Sequence, residues 1–87
     1  MLTYGLIVSK QKDTEEVFDR LNEFGEEHIN KLFKVQGEFN LLVEMKAKNP
    51  NRMVELLNKV KNLDGVIMLK TFPVMHKTRE YNTLPKF

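Results

Sequence analysis

The stretch VQGEFN, Val35–Asn40, lies between two runs of strand-like sequence, 29–35 and 39–47, and its reading sets the fold. Gly37 supplies the backbone freedom of a tight reversal, so the two runs fold back on each other as a hairpin. Working outward, each arm of the hairpin is preceded or followed by a helix and then another strand. On the N-terminal side, Leu2–Ser9 carries Tyr4, Ile7 and Val8 and reads as a strand. A helix follows: Asp13 or Thr14 is placed to cap it, Glu15 and Glu16 suit the positive end of its dipole, and Val17, Leu21 and Phe24 recur at helical spacing before Gly25 stops it. On the C-terminal side, Asn49 is a good N-cap and Pro50 fits the first helical position. Met53, Leu56, Leu57, Val60 and Leu63 then form a wide apolar stripe. Gly65 leads into a fourth strand, 66–75, in which Pro73 marks an edge or a bulge.

The order is therefore β-α-β-β-α-β, the second half repeating the first. Two such units joined through a hairpin give an α+β ferredoxin-like split sandwich over residues 1–76, with both helices on one face of an antiparallel sheet. Residues 77–87 are expected to be a C-terminal tail or an extra strand. The strands are apolar in both phases: Leu2, Tyr4, Leu6 and Val8 alternate with a phase containing Ile7, and Leu42 alternates with Leu41 and Val43. Two helices cover one face, so the second apolar face calls for a second copy of the chain, sheet on sheet, in a two-fold dimeric α/β barrel.

Composition narrows the function classes. The 87 residues make one domain, 41% hydrophobic and 30% charged, a globular balance. No apolar run reaches the roughly 20 residues of a bilayer span, and the first nine residues lack the basic flank and cleavage site of a signal peptide. With no cysteine, thiolate and disulfide chemistry are excluded, and a cytoplasmic location is the expectation. The net charge is +2, from 14 basic and 12 acidic residues; the basic ones are scattered while the acids of DTEEVFDRLNEFGEE cluster, so no concentrated phosphate-binding surface and no direct nucleic-acid binding are expected.

Catalytic signals are sparse. His28 and His76 are the only histidines and have no metal-ligand spacing; Ser9 is the only serine. The paired acids Glu15/Glu16 and Glu26/Glu27 read as solvated surface rather than an acid–base couple, because sequence neighbours on a helix do not face each other. Met45, Met53 and Met68 fall on core-facing periodicities and read as packing. No glycine-rich phosphate loop is present, and Phe18 and Phe24 sit on a helix rather than on a strand-borne stacking platform. No cofactor and no metal are expected. What remains is the hairpin. The backbone N–H groups around Gly37, the amide of Asn40 and the carboxylate of Glu38 are able to hold a small zwitterion. The same residues also fit a bulged hairpin with Phe39 turned into the core, and spacing alone suits the turn better.

VQGEFNLLVEMKAKN resembles the V-x-G-x-(Y/F/W)-D hairpin and following apolar run of the ligand-binding domain of Lrp/AsnC, or feast/famine, transcription regulators. LDGVIMLKTF resembles that family's I-x-G-V-x-x-T-x-T fourth strand, with Thr71 at the second threonine. KTREYNTLPKF resembles its K-x-T-T-x-L-P ending. The resemblance spans nearly the whole chain. It implies dimers that assemble further, and a small effector, usually an amino acid, bound between dimers beside the glycine hairpin. Gly37, Glu38, Phe39 and Asn40 would line that pocket, with Thr71 reaching in from the fourth strand. Asn40 stands where the family carries aspartate and so forfeits an ionic contact with an amino group. Leu69 replaces the first threonine. The family's helix-turn-helix domain has no counterpart here, so the expectation is a stand-alone, non-enzymatic module that modulates transcription by co-assembling with full-length Lrp/AsnC-type regulators. Two other readings stay open: a small dimeric oxygenase- or isomerase-like enzyme using His28 or His76, and a structural co-assembly subunit with a vestigial pocket.

Overall fold

The computed structural model describes residues 1–75; the expected tail at 77–87, and His76, lie outside the described residues. The elements run β1 (Leu2–Ser9), α1 (Thr14–Asn22), β2 (Ile29–Lys34), β3 (Leu41–Lys46), α2 (Pro50–Lys61) and β4 (Val66–Pro73), with one 3-10 turn, Gln11–Asp13, leading into α1. The sheet is antiparallel throughout, in the order β2-β3-β1-β4. Sequence-adjacent strands on either side of a helix are thus separated by one strand inserted between them, the arrangement of the ferredoxin-like fold.

Local chemistry explains the element ends. Asn49 caps α2 as expected, its Oδ1 accepting from the Arg52 N–H at 2.9 Å, with Pro50 in the opening turn. The cap expected for α1 differs. Neither the Asp13 nor the Thr14 side chain caps the helix, because the 3-10 turn already feeds the chain into it with Asp13 in helical conformation. Instead Thr14 turns back to β1, its hydroxyl 2.7 Å from that of Ser9. α1 also ends earlier than its apolar spacing suggests, at Asn22, leaving Phe24 on the turn that Gly25 completes with positive φ.

Both helices pack on one face. Ile7 of β1 and Leu41, Val43 and Met45 of β3 are fully buried there against Val17 and Leu21 of α1 and Met53, Leu56 and Val60 of α2. Gly5 sits in the middle of this face because a Cβ there would meet Met45 Cε at 2.9 Å and Val43 Cγ1 at 3.0 Å. The opposite face carries Leu2, Tyr4, Leu6 and Val8 of β1, none of them buried. Across the strands, the register aligns Lys31, Glu44, Tyr4 and Phe72 in one row and Phe33, Leu42, Leu6 and Lys70 in the next. Met68 belongs to this open face, opposite Val8 and half-exposed, which corrects its expected place in the core. The cause is a register shift between Val8 and Ser9: Ile67 bulges out, and Val66 packs on the core side while Met68 faces away.

Candidate functional site

The hairpin is closed by the Val35 N–H donating to the Asn40 carbonyl at 2.9 Å, leaving residues 36–39 as its loop. Gln36, Gly37 and Glu38 are exposed; Phe39 is half-buried. Gly37 takes φ +122°, and open space surrounds the position a Cβ would take, so conformation rather than crowding selects glycine there. Among the described residues, no group accepts a hydrogen bond from the N–H of residues 36–39. Exposed backbone donors at a tight turn are the usual means of capturing a small anion such as a ligand carboxylate.

Asn40 has a different task. Its N–H donates to the Ile7 carbonyl at 2.8 Å and its Oδ1 accepts from the Ser9 N–H at 2.7 Å. Ser9 lies just beyond the last β1–β3 pair, Ile7 with Leu41, and the side chain of Asn40 supplies the acceptor that its N–H would otherwise lack on that side. The Thr14 hydroxyl donates to the Lys10 carbonyl at 3.2 Å, so the Ser9 hydroxyl donates to Thr14. A chain of contacts therefore ties the hairpin through β1 to the start of α1.

Gly37, Glu38, Phe39 and Asn40 form one group at one end of the sheet. Thr71 does not join them within a chain. It pairs with Gly5, while Asn40 sits beside Leu41, the partner of Ile7. Two strands and three residues of offset place Thr71 on the order of 14 Å away, from ~3.3 Å per residue and ~4.8 Å per strand. His28, the one histidine among the described residues, is exposed in the α1–β2 turn, and no metal-binding cluster occurs among those residues.

Sequence reasoning missed a second polar feature, on the open face. Tyr4 Oη donates to Glu44 Oε1 at 2.5 Å, and Glu44 is 8% exposed although it points away from the helices. The tyrosine hydrogen bond, helped by Asn30 and Lys31, holds the Glu44 carboxyl below its ordinary range against the opposing effect of burial. Glu44 in turn pushes the Tyr4 phenol up. Alternation in β1 and β3 hinted at a shared face for these residues, but only the register makes them neighbours.

The family model of the Lrp/AsnC ligand-binding domain matches residues 5–84. The chain belongs to the Lrp/AsnC ligand-binding domain family. Solved structures share this domain's fold. TTHA0845 from Thermus thermophilus is 14% identical with a TM-score of 0.81, over 91% of this chain and 98% of that one. The transcriptional regulator NMB0573 from Neisseria meningitidis, solved as an L-Met complex, is 19% identical with a TM-score of 0.74; the match takes in 97% of this Lrp/AsnC-type chain and 55% of the regulator. The Tat proofreading chaperone NapD of E. coli is 15% identical with a TM-score of 0.71, over 100% and 90% of the two chains. At these identities the likeness is one of fold alone, and NapD illustrates that the fold serves more than one task. No curated protein sequence matches the chain. No helix among the described residues is long and apolar enough to cross a membrane.

Proposed function

We propose that this Lrp/AsnC ligand-binding domain is a non-enzymatic, cytoplasmic effector-binding module that dimerises through its open sheet face and binds a small molecule, an amino acid, at the glycine hairpins where dimers meet. The observation that carries the reading is the run of N–H groups at residues 36–39 with no partner among the described residues, on a hairpin inside the span that the family model matches. Phe33, Met68 and Phe72 are 44 to 49% exposed beside Leu2, Leu6, Val8 and Leu42, an apolar surface that supports sheet-on-sheet pairing. Thr71 enters the pocket from another chain in this arrangement. Ligand at such an interface changes assembly by linkage: it favours whichever oligomer forms the site, and full-length regulators of the family are the partners through which transcription would respond. A panel of the common amino acids, followed by melting temperature and light scattering, tests it. At least one is expected to raise the melting temperature and shift the mass distribution; a panel that leaves both unchanged removes amino acids as effectors.

One observation favours a second reading, a structural co-assembly subunit. The side-chain Oδ1 of Asn40 is already engaged by the Ser9 N–H, so this position offers a ligand no free anionic acceptor. Asn40→Asp keeps an oxygen for Ser9 and adds charge. If only the aspartate variant binds amino acids, the native chain is the co-assembly subunit; if the native chain binds as well, it is the effector module.

A further inference from the structure

At the end of the sheet opposite the hairpin, a cleft of about 1020 Å³ opens on the helix-covered side. It lies where β1 begins, β3 ends, the α1–β2 turn passes and one stripe of α2 forms a wall. The volume is at the upper end of the range for small-molecule sites, ~300–1,000 Å³. The floor is apolar, supplied by Phe24, Ala47 and Leu56, of which Leu56 is a buried member of the core and Phe24 and Ala47 pack against it. Arg52 and Glu55 on the α2 wall pair with each other at 3.1 Å. That leaves Lys48 and Lys59 beside the single carboxylate of Glu27 in the lining, and neither lysine forms an ion pair among the described residues. The opening turn of α2 carries no acidic residue, which leaves its positive end unopposed on the same rim.

We infer that this cleft is a binding site for a small amphipathic anion, with its aliphatic or aromatic body on Phe24 and Leu56 and its anionic head between Lys48 and Lys59. The chemistry follows from the pairing of an apolar floor with an uncompensated cationic rim. A cation is repelled, a fully polar anion wastes the floor, and a neutral apolar molecule leaves the lysines without a counter-charge. The site is separate from the glycine hairpin, which lies at the far ends of β1 and β3, so it stands whether or not amino acids bind there.

The test is a titration of the isotope-labelled chain with octanoate and, separately, octanamide at low salt, followed by amide NMR. Octanoate is expected to shift the signals of Phe24, His28 and Ala47 and to saturate, with octanamide at least tenfold weaker. The variant Lys48→Glu/Lys59→Glu, altered only at exposed side chains, should lose about tenfold in octanoate affinity, the combined effect of removing and reversing two exposed charges. Lys12→Glu, remote from the cleft, should lose none, and a folded spectrum for each variant keeps the reading secure. Equal binding of the amide, shifts centred on Phe33 and Leu42 instead, or no saturable binding of octanoate would each overturn the inference.

Discussion

The two faces of one sheet are built from the same strands by alternation, yet they solve different problems. On the covered face, Ile7, Leu41, Val43 and Met45 are 0% exposed and close against both helices. On the open face, Leu2, Leu6, Val8 and Leu42 are only half-buried, and Phe33, Met68 and Phe72 are exposed. The covered face holds the monomer together. The open face keeps apolar area in reserve but places a buried, ionised glutamate within it, and an ionised group in an apolar surface costs stability unless it is held by partners. Tyr4, Asn30 and Lys31 are those partners. That difference is what supports the dimer surface proposed above: apolar area for contact, with one polar pair held in place to set its register.

The largest effect that separates the faces is expected in the core. Leu21→Ala removes a fully buried side chain of α1 from the covered face and should cost about 3 kcal/mol, read from urea unfolding with an unchanged slope. Leu42→Glu acts on the other face. It puts a charge at the centre of the row Phe33–Leu42–Leu6, leaves the fold intact by circular dichroism, and should weaken the proposed dimer by at least ~100-fold, or about 2.7 kcal/mol. Sedimentation measures that loss. An unaltered mass for Leu42→Glu at all concentrations would mean that the open face is not the dimer surface.

A smaller effect tests the hairpin that joins the faces at their edge. Asn40→Ala leaves the Ser9 N–H without its acceptor and should cost about 1 kcal/mol, while Asn40→Asp should stay within a few tenths of native. Equal stability of all three would remove the bracing role of Asn40.

These residues also mark how far the sequence can be read. The order of elements along the chain, the second helix with its Asn49–Pro50 start and the apolar stripes follow from periods of two and 3.6, which a single chain displays openly. The bulge at Ile67 does not: it changes the phase of one strand midway, and no residue in IMLK announces it, so Met68 reads as core when it is surface. The 3-10 turn before α1 is hidden for a similar reason, since Asp13 and Thr14 suit a cap whether or not they make one. At the candidate site, Gly37 and its neighbours are legible as a turn with spare donors. The use of Asn40 by Ser9, 31 residues away, and of Glu44 by Tyr4, 40 residues away, depends on register, which pairing and not spacing decides.

The Tyr4–Glu44 contact gives the finest comparison of the faces because it responds to pH. Glu44 has its carboxyl lowered from 4.5, so its contribution to stability is complete above that value and is lost as pH falls through the lower folded value. Tyr4 has its phenol raised from 10.0, so its contribution is complete below that value and is lost as pH rises through the higher folded one. The contact is therefore at full strength across the whole range between 4.5 and 10.0. Tyr4→Phe removes the chief cause of the Glu44 shift and leaves burial working against Asn30 and Lys31. The Glu44 carboxyl should then titrate at higher pH, followed by its carbon signal in NMR, and the acid limb of the stability curve should move up with it. If a second copy covers this face, burial is greater and the upward movement in Tyr4→Phe is larger at protein concentrations where the dimer forms than at dilutions where it has dissociated. An identical movement at both would place Glu44 outside the dimer interface and confine the pairing surface to the rows around Phe33 and Met68.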